Sequence, residues 1–151
     1  MKLSTKRSEG FTLVEVLLVI VIIAILAAIV IVAINPARQI SQANNTQRTS
    51  NVKTILDAVH EYAIDNQGTL PGAITATATT IGSGTGNIDI CTDLVPTYIS
   101  EMPFDPTDTA ASFTDCTSYN AGYLISQDAT SYRITVSAPS AELSETISMT
   151  R

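Results

Sequence analysis

Residues 10 to 34 read GFTLVEVLLVIVIIAILAAIVIVAI, and this stretch decides the fold. In the 24 residues from Phe11 to Ile34 only Glu15 is charged and only Thr12 is otherwise polar. As a helix rising about 1.5 Å per residue the run reaches about 36 Å, enough to cross a hydrocarbon core of about 30 Å. Lys2, Lys6 and Arg7 precede it and the next basic residue is Arg38, so the positive-inside bias predicts a cytoplasmic N-terminus with the remainder outside. A secretory signal peptide shares the basic start, but its apolar region spans only about 7–15 residues and ends in a small-x-small cleavage site. A plain single-pass anchor accounts for the length and leaves Glu15 unexplained. A carboxylate at that position costs about 2.5 kcal/mol or more on insertion unless it finds a partner.

The rest of the chain is too small for much else. At 151 residues it holds one ordinary domain beside this segment. The net charge is -6, and the first ten residues carry a local +2, which leaves residues 11 to 151 at -8. With such a surface no general nucleic-acid binding is expected, because phosphate binding needs a basic face. Cys91 and Cys116 are far in sequence from His60, the one histidine, which gives too few ligands for zinc.

Asn35-Pro36 ends the apolar run, and Pro36 removes a helical hydrogen bond, so a kink or local melting is expected before the helix resumes. Val52, Ile55, Leu56, Val59, Tyr62 and Ala63 recur at spacings of three and four, which marks one face of an amphipathic helix, and Gly68 and Pro71 stop it. Between Gln39 and Ser50 the apolar residues are Ile40 and Ala43, which predicts a helical but poorly buried portion that would face neighbours in an assembly. Residues 72 to 90 are rich in Thr, Gly and Ala and read as a loop with one short strand at most. The C-terminal part alternates through Tyr123 and Ile125, then Tyr132, Ile134 and Val136, then Ile147 and Met149, with turn residues between the runs. The expected class is α+β: a long N-terminal helix packed on a small antiparallel sheet of three to four strands. The segments are 1–10, 11–34, 35–67 and 68–151: a basic leader, a membrane helix, its amphipathic continuation, and a loop with sheet forming the head.

No nucleophile and base, phosphate loop or metal cluster accompanies these elements, so an enzyme is not expected. His60 lies in the periodic helix with Asp57, Glu61 and Asp65 near it, which predicts a solvated or salt-bridged surface side chain. Asn44-Asn45-Thr46 fits the glycosylation sequon, a pattern short enough to arise by chance.

Gly10-Phe11-Thr12-Leu13-Val14-Glu15-Val16 followed by an unbroken aliphatic run resembles the prepilin signature of type IV pilins and of the pseudopilins of type II secretion systems. The resemblance implies a pilin-like fold and cleavage between Gly10 and Phe11 by a membrane prepilin peptidase, which also methylates Phe11. It implies assembly of a homo-oligomeric filament by an inner-membrane platform with an ATPase. Phe11 and Glu15 would be assembly residues, the new α-amine of one subunit pairing with Glu15 of the next. The alternative for Glu15 is to satisfy the N–H groups at the start of its own helix. Glu9 departs from the basic or small polar residue that many such leaders carry before the glycine.

Further along, Leu94 to Pro106 resembles the segment of major pseudopilins in which a leucine and a tyrosine pack under the sheet before a proline-x-aspartate-proline turn. Some major pseudopilins bind calcium in a comparable loop, which makes Asp89, Asp93, Asp105 and Asp108 weak calcium candidates, with Asp115 close by; no other cofactor is expected. Their spacing fits no EF-hand, and acidic loops in so acidic a chain are usually only solvated. An oxidising compartment and an even cysteine count predict a Cys91–Cys116 disulfide. The leading expectation is a type IV pilus subunit serving adhesion, motility or DNA uptake, first inserted in the inner membrane and then in an extracellular or periplasmic filament. A pseudopilin of a secretion or competence system is the alternative, and a membrane-tethered binding domain or enzyme a distant one.

Overall fold

A computed structural model describes residues 10–151. The leader expected at 1–10, with Lys2, Lys6 and Arg7, therefore lies outside the described residues except for Gly10. The chain divides into two compact units, residues 1–39 and 40–151.

In the first unit α1 runs Leu13–Ile34, 22 residues or about 33 Å at helical rise. Thr12 caps it, and none of its residues is buried. Asn35 ends it in the left-handed region at φ 48°, a conformation that asparagine tolerates better than most residues. The Asn35 side-chain oxygen accepts from the Arg38 N–H at 3.3 Å, and Pro36 occupies the first position of α2 (Pro36–Asp65), where a missing N–H costs nothing. The expected kink is thus a full break between two helices.

In the second unit the remainder of α2 lies on one antiparallel sheet. Val52, Ile55, Leu56, Ala58 and Val59 are buried, following the apolar spacing, while Tyr62 is partly buried against the same core. The helix ends where Gln67 and Gly68 adopt positive φ and the Gly68 N–H returns to the Ala63 carbonyl at 2.7 Å. The sheet has five strands: β1 (Thr79–Gly82), β2 (Ser112–Asp115), β3 (Ser118–Gln127), β4 (Ile134–Ala138) and β5 (Ile147–Thr150), in the order β1-β3-β4-β5 with β2 also on β3. A short helix, α3 (Cys91–Leu94), precedes β2. Tyr119, Ala121, Tyr123 and Ile125 alternate onto the buried face of β3, and Ile125 pairs with Val136 across to β4. The three C-terminal runs are therefore joined by two short strands, and Tyr132 is not in a strand: it sits exposed at positive φ in the turn before β4.

Candidate functional site

The N-terminal site is built by the first turn of α1. The Glu15 N–H donates to Thr12 Oγ1 at 3.3 Å, and Glu15 Oε2 accepts from the Thr12 N–H at 2.9 Å and the Thr12 hydroxyl at 2.8 Å. This capping box satisfies orphan donors at the helix start. Both contacts use Oε2, so capping and a second partner at Oε1 are compatible. Phe11 is 86 % exposed. A Cβ added to Gly10 meets nothing within 4 Å, so the described structure gives no packing reason for glycine there. Gly10, Phe11 and Glu15 thus stand together on an open helix start.

The head is held by polar devices that sequence reading did not foresee. Arg48, fully buried, forks onto Asp105: Nε donates to Oδ2 at 2.7 Å and Nη2 to Oδ1 at 3.1 Å. Its Nη1 donates to Asn45 Oδ1 and Glu142 Oε2, both at 2.9 Å, and Nη2 also donates to the Thr107 hydroxyl. Ser41 and Asn44 donate to the same Glu142 carboxylate at 2.9 Å each. Most of Gln39 to Ser50 is exposed, as expected, but Asn45 and Arg48 are interior exceptions, because the turns carrying Asp105 and Glu142 close over them. Asn44 of the sequon is likewise engaged and half-buried. Burial pushes the Asp105 carboxyl up, but the Arg48 guanidinium and the N–H groups of Thr107 and Asp108 outweigh it and hold Asp105 below its ordinary value. Hydrogen bonds from Arg48, Asn44 and Ser41 do the same for Glu142.

The other calcium candidates also accept hydrogen bonds. Asp89 Oδ1 accepts from the Tyr119 hydroxyl at 2.8 Å and the Cys91 N–H at 3.1 Å, Asp93 accepts from the Gly72 N–H at 2.9 Å, and Asp108 accepts from the Ala110 N–H at 2.9 Å. Among the described residues no three His, Cys, Asp or Glu side chains come together to hold a metal ion. Cys91 and Cys116 form a disulfide with Cα atoms 5.2 Å apart, tying the start of α3 to the β2–β3 turn. Leu94 is buried and Tyr98 packs on the core edge-on to Tyr62, as the resemblance to the pseudopilin segment implied. His60 is not the solvated or salt-bridged side chain expected. It is half-buried, and its Nε2 is sealed from solvent without a hydrogen-bond partner among the described residues. Burial first, and then Arg151, lower its pKa, with Asp57 opposing.

A family profile, the prokaryotic N-terminal methylation motif, matches residues 5–31. That motif is the class III signal sequence of type IV pilins and pseudopilins, and it supports a pilin- or pseudopilin-like precursor. Together with α1, long and apolar enough to cross a membrane, it fits membrane insertion. No curated protein and no solved structure is similar enough to the chain to be matched.

Proposed function

We propose that the chain is the precursor of a type IV pilin, a non-catalytic filament subunit that is cut between Gly10 and Phe11, methylated on the new amine and polymerised through α1. The observation that carries this reading is the methylation motif at residues 5–31 running into a helix of 22 residues with no buried side chain. Such a surface needs lipid before assembly and sister helices after it. Cleavage at an exposed glycine leaves the span in the membrane and frees a cationic amine four residues before Glu15. In the lipid environment amine and carboxylate relieve each other's desolvation cost when they meet between subunits. The basic leader keeps this end cytoplasmic, where the peptidase acts, and an ATP-driven platform then draws subunits into the filament.

Intact-mass measurement and N-terminal sequencing of polymerised protein are expected to find methylated Phe11 at the mature end, and Gly10→Val is expected to leave uncut precursor in the membrane. A mature chain starting at Met1 or beyond Ala33 sinks the proposal. The segment from Leu94 to Pro106, with Leu94 buried and Asp105 at the turn, favours a second reading as a pseudopilin with a short periplasmic filament. Long surface fibres containing this chain decide for the pilin.

A further inference from the structure

We propose that the groove between α2 and the edge strand β5 of one copy receives the Glu101–Phe104 corner of a second copy, Glu101 against Lys53 and Arg151 and Phe104 on the apolar lining. This contact rests on the filament reading and says which head surfaces meet.

The two edges of the sheet differ. On the β1 side the chain returns over the edge, with the Ile88 N–H donating to the Thr80 carbonyl at 2.9 Å and the Gly82 N–H to the Ile88 carbonyl at 3.0 Å. On the other side β5 pairs with β4 alone. Between β5 and α2 lies an open groove of about 830 Å³, whose lining includes the apolar side chains Leu56, Ile64 and Met149 together with Lys53, His60 and Arg151. Ile64 is 77 % exposed there and offers apolar surface to a partner.

Charge selects the occupant. Residues 40–151 carry four basic side chains, Arg48, Lys53, Arg133 and Arg151, against twelve carboxylates, so identical heads at -8 repel one another. Arg48 is buried with its own acids, and two of the three exposed cations, Lys53 and Arg151, line this groove. They share one carboxylate, Asp57, at 2.5 and 2.8 Å, with Glu61 also in the lining. The groove is thus where the exposed cations of the head gather, and an occupant that presents an acid beside an apolar side chain matches both them and Ile64. Glu101 is exposed and Phe104 is 43 % exposed on one corner, pinned where Asn51 Nδ2 donates to the Phe104 carbonyl at 3.1 Å.

Placement makes the contact repeat. Gln47, Asn51 and Thr54 of α2 border the corner, while Lys53, Asp57 and His60 border the groove, and at 100° per residue these are opposite flanks of one helix. A corner on one flank and its receptor on the other make a heterologous contact, which repeats from copy to copy and builds an open helical array where its rotation does not close into a ring.

The test uses the full-length chain with its native assembly machinery. Lys53→Glu and Glu101→Lys are each expected to lower the yield of sedimentable filament about 2–5-fold, and the double reversal to restore it, as for an ion pair at a rim. Independently, Lys53→Cys combined with Glu101→Cys is expected to give a ladder of disulfide-linked subunits on a non-reducing gel. Filaments of parental yield from both single reversals, a double reversal no better than the singles, or filaments without the ladder would each remove the contact and leave the filament reading standing. A correctly cleaved parent chain that never polymerises removes both.

Discussion

Glu15 is the one charge between Phe11 and Ile34, and its Oε2 is already used by Thr12. The sequence left two roles open for it, capping its own helix or pairing with a neighbour, and the capping box shows that one does not exclude the other. Substitution separates them. Glu15→Gln keeps an acceptor at the third helical position and so preserves the box, whereas Glu15→Ala loses both the box and the charge. If pairing with the Phe11 amine is what assembly needs, both variants insert in the membrane, the alanine variant more readily, and both fail to give normal filament yield. A glutamine variant that polymerises like the parent assigns Glu15 to capping alone. Filament yield normalised to cleaved subunit in the membrane is the measurement. Thr12 was legible as a polar interruption but not as a cap, because a hydroxyl three residues before a glutamate becomes one only where the helix begins.

At the scale of elements, the half of α2 that reads as amphipathic was legible because apolar burial repeats at helical spacing. Its polar half was not, since the groups that bury Arg48 lie 57 and 94 residues away and polar-to-polar burial leaves no apolar stripe. β1 was legible as the one short strand allowed within residues 72 to 90 but not in its place, because a Thr- and Gly-rich run becomes a strand through its pairing with β3, with Thr79 opposite Ile125. Arg48→Met is expected to destabilise the head by about 3–5 kcal/mol, because Asp105 stays buried without its cation. Adding Asp105→Asn, which keeps acceptors for the Thr107 and Asp108 N–H groups, is expected to recover much of the loss. Chemical denaturation of the full-length chain in detergent measures both, and a single mutant as stable as the parent refutes the strut. The disulfide closes a separation of 25 residues, for which the chain-entropy model gives about 3–4 kcal/mol. Cys91→Ser is expected to lose a comparable amount in the same denaturation curve, and an unchanged midpoint would count against it.

For the molecule as a whole, the α+β class and the break after the apolar run were legible, because each follows from hydrophobic period and from Pro36. How the polar groups settle was not, and their shifts together predict a stability profile. Asp57, held by Lys53, Asp105, held by Arg48 against burial, and Glu142, also held by Arg48, titrate below their ordinary values in the fold. Asp115 beside Thr117 and Asp128 beside Ser131 shift the same way. A depressed folded pKa means the unfolded chain binds more protons, so this stability is present above the ordinary carboxylate range of about 4 and is lost as pH falls through it. His60 is depressed too, so its contribution has the same sign but an earlier window, fading as pH drops below its ordinary value of about 6.5. Burial raises Tyr119 and Tyr123, whose stabilising share is present below about 10 and is lost as pH rises through their folded values. The melting temperature of the full-length chain in detergent is therefore expected to be flat between about pH 6.5 and 10, to sag first on the acid side as His60 charges, and to fall steeply below about 4. His60→Asn is expected to erase the first sag and leave the steep fall in place, since the carboxylates that cause the fall keep their partners. A parent chain that gains stability on acidification from neutral pH contradicts every one of these carboxylate and histidine shifts at once.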